Sequence, residues 1–220
     1  MIQGIRSVLE KDLSLELRSR FGVNSVLAFI VAGTLVSIYL IGTDRLETLT
    51  TISIYWILIV FAAITAMNRA FVIETDRSTM ELLQLHASPM AVYIGKLLYN
   101  FAFTLFVSLT AAIFLNILVG FRGVHLGYAI LVISLGSLGM SGAATLLSAL
   151  VAQTDKKATL FPVIALPVLM PLMLILASAS RLLIELDGWG SIANDVMALV
   201  GYCGAMISAS VLLFEYLWDA

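Results

Sequence analysis

The sequence predicts an all-α polytopic membrane protein, with six transmembrane helices, an amino-terminal amphipathic helix at the interface and a further cytoplasmic helix between two of the spans. Three observations predict it. Of the 220 residues, 61% are hydrophobic and only 12% charged, where a soluble domain carries roughly a quarter charged. Six stretches between successive charged residues are long enough to cross the hydrocarbon, which takes about 20 apolar residues. Lys and Arg are also divided unevenly between the alternate connections.

The charge-free stretches are 21–43, 48–68, 97–121, 123–154, 158–180 and 196–214, and the next longest, 82–95, has only 14 residues. They predict spans at about 22–42, 49–67, 97–119, 127–151, 159–179 and 196–214 in one domain, 1–220. Barrel strands would instead alternate over ~10-residue segments. Residues 1–20 lack the apolar core and small-residue cleavage site of a signal peptide, so insertion relies on the first span.

Orientation follows from the basic residues. Arg6, Lys11, Arg18, Arg20, Arg69, Arg77, Lys96, Lys156 and Lys157 fall on one side, and only Arg45, Arg122 and Arg181 on the other. The bias predicts both termini in the cytoplasm, with 69–90 and 153–157 inside. Loops at 44–47, 122–125 and 181–195 then face outward. The net charge of -2 speaks against a nucleic-acid partner. The lone Cys203 rules out a disulfide framework within the chain.

Before the first span, Ile2, Ile5, Leu9, Leu13, Leu17 and Phe21 recur at helical spacing, with Arg6, Glu10, Lys11 and Arg18 on other faces. This predicts an amphipathic helix lying in the cytoplasmic interface. It serves as an anchor, as a docking elbow for a partner, or as both.

Segment 69–96 is too polar to span. Glu74, Arg77 and Glu81 stand three and four apart, share a helical face and can pair locally. Leu82, Leu83 and Leu85 add apolar contact, Ser88-Pro89 breaks the pattern, and Tyr93 to Lys96 re-enters the membrane. The residues alone leave two readings, a solvated connector and a docking surface.

The fifth span carries Pro162, Pro167 and Pro171. Each removes a backbone donor. In lipid the freed carbonyls need neighbours or water, so the span is expected to be kinked and packed inside the bundle. The kink is static or a working hinge. Gly136, Gly139 and Gly142 in the fourth span, with Ser134, Ser137 and Ser141, allow close helix approach. Packing within the chain or across a dimer is expected there, ahead of a ligand path.

The run Glu74-x-x-Arg77-Ser78-Thr79-Met80-Glu81-Leu82-Leu83, with Ser88-Pro89 and Gly95-Lys96, resembles the coupling segment of ABC-2-type transporter permeases, though Ser78 stands where that superfamily usually has Gly. Lys11-Asp12-Leu13, Glu16-Leu17-Arg18 and the proline-rich fifth span narrow the resemblance to the B component of the cytochrome c maturation system, the haem exporter protein B or CcmB family. The resemblance implies a bacterial inner-membrane permease subunit. It implies a cytoplasmic ATP-binding cassette subunit, a second copy of this chain, other cytochrome c maturation membrane subunits and a haem chaperone as partners. Glu74, Arg77, Glu81, Leu82, Pro89 and Lys96 become the expected coupling residues and the three prolines the expected hinge. ATP would be hydrolysed on the partner to drive haem export or release of the haem-loaded chaperone, with haem as cargo.

No cofactor is expected on this chain. It lacks the GxxxxGK[ST] phosphate loop, and no nucleophile triad or metal-ligand cluster lies on the spans, so no catalysis by this chain is expected. Of the two histidines, His125 beside Arg122 and Tyr128 is the candidate haem contact, ahead of His86. Other expectations left open are an ABC-2-type exporter of lipid, polysaccharide or drug, and a membrane scaffold.

Overall fold

The computed structural model describes residues 2–19, 21–42, 47–67, 88–120, 125–152, 157–185 and 189–218. Among them are α1 (Ile2–Ser19), α2 (Phe21–Ile41), α3 (Thr48–Met67), α4 (Pro89–Val119), α5 (Leu126–Ala152), α6 (Lys157–Glu185) and α7 (Trp189–Trp218), and no strand. The six helices α2 to α7 each hold a stretch long and apolar enough to cross a membrane. Val8 of α1 packs with Phe214 of α7, so the two ends of the chain lie at one end of the bundle.

Local chemistry sets the helix ends. Ser88 is an extended cap residue and Pro89 takes the first helical position, where a missing N–H costs nothing. Gly120 closes α4 in the left-handed region, at φ 72°, with its N–H donated to the Asn116 carbonyl at 2.8 Å. Gly42 closes α2 in the same way, at φ 81° with a 2.9 Å bond to Ile38.

Three helices outrun the spans that charge spacing outlined. The third span, read as starting at 97, belongs to a helix that begins at Pro89, the fifth runs on to Glu185, and the sixth starts at Trp189. The loop expected over 181–195 is therefore corrected, because 181–185 and 189–195 are helical. The physical reason is pairing at two of the boundaries. Lys96 faces Asp12 at 3.4 Å, and Arg181 pairs with Glu185 one turn on at 2.9 Å.

α5 is the central helix and packs against α3, α4, α6 and α7. A Cβ on Gly136 would stand 2.8 Å from Leu176 and 3.0 Å from Trp56, and one on Gly139 3.0 Å from Leu172. The glycine stripe is thus filled from within the chain. Cys203 is buried, with its thiol donated to the Leu135 carbonyl at 3.4 Å.

α6 corrects a second expectation. Phe161, Ala165, Leu169, Leu172, Leu176 and Ala179 form its core face, while Pro167 and Pro171 are exposed and Pro162 is half-buried. The proline-bearing face is not enclosed by this chain's described residues. Pro167 and Pro171 stand four apart and share a stripe with Val163, and the core takes the other side of the helix. A neighbour does donate into this stretch, where the Tyr202 hydroxyl reaches the Val168 carbonyl at 2.9 Å.

Candidate functional site

The chemistry concentrates where α1 meets the first turns of α4. An ideal Cβ on Gly95 would lie 2.8 Å from the Val8 Cβ and 3.2 Å from the Ile5 carbonyl. Gly4 faces the Ala91 Cβ at 3.3 Å on the same criterion. One glycine on each helix lets the two backbones close up. Val8, Val92, Tyr93 and Leu97 then bury against Ala149 and Phe214 in a cluster separate from the main core.

The helices also meet through charge. The Lys96 ammonium lies 3.4 Å from Asp12 Oδ2, with the two side chains 2% and 13% exposed, and Lys11 stands 3.2 Å from Asp12 Oδ1. Asp12 thus sits between two ammonium groups, of which Lys96 is the one taken almost wholly out of water. One turn further, Glu16 Oε1 accepts the Val23 N–H at 2.8 Å. That donor belongs to the first turn of α2 and has no partner within its own helix. Gly22 leaves room for this contact, since a Cβ there would meet Glu16 Oε1 at 2.5 Å. Tyr99 lies within electrostatic reach of both Asp12 and Glu16. At the exposed side of α1, Arg6 donates to Glu10 at 2.6 Å, which raises the Arg6 pKa.

The residues expected to act fall in three places. Glu74, Arg77, Glu81, Leu82 and His86 lie outside the described residues. Pro89 and Lys96 belong to α4, where Pro89 is half-buried at the helix start and Lys96 is turned into the α1 seam. His125 is exposed at the opposite end of the bundle, and its carbonyl accepts the Tyr128 and Ala129 N–H groups at 3.1 and 3.0 Å. Its ring is 5.6 Å from Tyr128, which is 5.7 Å from Trp189. That cluster matches the aromatic belt of a membrane interface. Among the described residues, no group of three His, Cys, Asp or Glu could hold a metal ion.

Two features are not apparent from the sequence alone. Asp12 stands there only as part of a short motif, and the structure gives it a partner. Lys96, Asn100, Thr104 and Ser108 are all buried and recur every four residues along α4. On α5, Ser137, Ser141, Thr145 and Ser148 are also buried at a spacing of three and four. Asn100 donates to Thr145 Oγ1 at 2.9 Å and closes one rung. The four-residue period was the available signal.

Compared with protein-family models, the chain matches that of the CcmB protein over residues 3–218. The chain belongs to the CcmB family. No curated protein matches it. Membership in the CcmB family makes it a membrane component of a haem exporter for cytochrome c biogenesis, the non-enzymatic permease part of an ABC-type machine that includes an ATP-binding subunit. In CcmB terms, the motif acids Asp12 and Glu16 tie the interfacial helix to α4 and α2.

Proposed function

We propose that this CcmB chain couples ATP hydrolysis on a separate cassette subunit to haem export, or to release of the haem-loaded chaperone, in the inner membrane of a bacterium. The observation that carries the reading is the block at the end of the bundle bearing both termini. There α1 buries Val8 in a cluster with Val92 and Tyr93 and is ion-paired through Asp12 to Lys96 near the start of α4, the helix that directly follows segment 69–88. The basic residues of that end support a cytoplasmic position for it under the positive-inside rule.

In this reading the cassette subunit docks on Glu74, Arg77, Glu81 and Leu82, and Pro89 and Lys96 pass its movement into α4. A second copy of the chain completes the permease, beside further cytochrome c maturation subunits and the chaperone. Pro162, Pro167 and Pro171 act as a hinge, because three removed donors leave α6 with fewer ladder bonds to break on bending. His125 is a haem contact on the outer face, where its side chain is exposed and imidazole is a common axial ligand.

The test is Glu81→Arg in a strain lacking the native chain. The variant is expected to reach the membrane in normal amount while co-purification of the ATP-binding subunit and c-type cytochrome yield both fall. In the same assay, alanine at Pro167 and Pro171 is expected to keep folded yield and lower cytochrome yield. Unchanged association and unchanged cytochromes in Glu81→Arg would leave segment 69–88 a solvated connector and favour the scaffold reading. Retained association without c-type cytochrome dependence would favour another exported cargo.

A further inference from the structure

We propose that α1 and the first two turns of α4 form one rigid lever, latched by Asp12 and Lys96, and that Glu16 transmits its movement to α2. The inference rests on the coupling reading above and adds to it Asp12 and Glu16, which lie outside the coupling segment. Three independent features fix α1 to α4: the Asp12–Lys96 pair at 3.4 Å, the glycine contacts of Gly4 and Gly95, and the apolar cluster around Val8 and Tyr93. A charge pair with one member almost wholly buried has a narrow set of acceptable geometries, because parting the charges in a low-dielectric site weakens a strong attraction. Such a pair resists sliding better than apolar contact does.

The contrast with the other face of α4 sets the direction of movement. Further along α4 the buried Thr104 and Ser108 hydroxyls lack a partner among the described residues, as does that of Ser137 on α5. Hydroxyl contacts between membrane helices are individually weak, about 0.6 kcal/mol. α4 is thus tied to α1 by a buried ion pair and to α5 by neutral contacts such as the Asn100–Thr145 bond, so a push at residues 69–88 displaces α1 and α4 together along the α5 seam. α2 follows, because its first turn is held by Glu16 through the Val23 N–H. Asp12, Glu16 and Lys96 are positioning residues, and none of them touches cargo.

Two measurements test this. In cells lacking the native chain, Asp12→Lys and Lys96→Asp are each expected to lower c-type cytochrome yield by about tenfold or more. The doubly swapped variant is expected to regain most of it, with membrane abundance followed throughout. A swap as defective as the single variants overturns the latch. The second measurement uses Gly4→Cys with Ala91→Cys, where the 3.3 Å Cβ approach is close to the about 3.5–4.5 Å of a disulfide. Oxidised in membrane vesicles, the tethered complex is expected to hydrolyse ATP and respond to haem as its reduced form does. A tethered form that is inactive and revived by reductant overturns the rigid lever, since α1 would then have to leave α4. If untethered wild-type vesicles hold no ATP-binding subunit, the coupling reading itself fails, and the charge swap still decides the latch.

Discussion

α5 and α2 are almost equally apolar, with mean hydropathies of 1.9 and 2.0 over their spans, yet 67% of the α5 span is buried and only 17% of the α2 span. In water that difference would be hard to understand, because apolar surface drives burial. In a bilayer, lipid is as good a solvent for leucine as another helix is. What separates the two is the size and polarity of their side chains. α5 offers Gly136 and Gly139 for close approach, buries Ala143 and Ala144, and presents Thr145 for the hydrogen bond from Asn100. α2 exposes Phe29, Leu35, Val36, Tyr39 and Leu40. Where α2 does touch the bundle it buries Val26 and Ile30 in the core and brings small residues close as well. Thr34 is buried, and a Cβ on Gly33 would meet Leu58 at 2.6 Å.

The contrast breaks if side-chain size at the α5 seams does not matter. Gly136→Leu forces atoms into space held by Leu176 and Trp56. Overpacking of this kind costs about 1–3 kcal/mol or more. Thermal unfolding of the purified chain is expected to show the largest loss here of any single change in these two helices. Gly142, whose Cβ would meet Ile207 and Met206 at an ordinary 3.6 and 3.7 Å, is expected to accept alanine with almost no change. Equal effects at both glycines would remove close approach as the cause.

A smaller effect sharpens the polar half of the contrast. Asn100→Leu leaves Thr145 without its 2.9 Å donor and is expected to destabilise by about 1–2 kcal/mol. Paired with Thr145→Val, the double variant should lose less than the two singles together, as coupled partners do. Strict additivity would mean the bond contributes nothing. The smallest effect is expected on α2. Val36→Ala and Leu40→Ala change lipid-facing positions that are 55% and 74% exposed, so unfolding should shift by under about 0.5 kcal/mol. A large loss there would show that another protein, and not lipid, covers this face.

The six spans were legible because charge is so costly in hydrocarbon that its spacing alone outlines them. The same rule misjudged the ends of α4, α6 and α7. Charge counting cannot see that Lys96 has a partner 84 residues away in Asp12. The expectation for the prolines failed differently. Donor loss is a property of one helix, whereas the face that lies outward depends on where its neighbours sit. The amphipathic α1 was readable from its period, and its grip on α4 was not, since Gly95 and Asp12 acquire meaning only together. The family was legible in short motifs spread along the chain. The roles expected of Glu74, Arg77, Glu81 and Leu82 fall outside the described residues, so they rest on spacing and resemblance.

The central claim is that an ATP-driven partner engages the end of the bundle bearing both termini, beside segment 69–88. A photoreactive amino acid at position 81, and separately at 125, measures this directly in native membranes. Illumination is expected to join the ATP-binding subunit to the chain from position 81 and not from 125. Capture from position 125, or none from 81 in membranes where the complex is intact, would contradict the account.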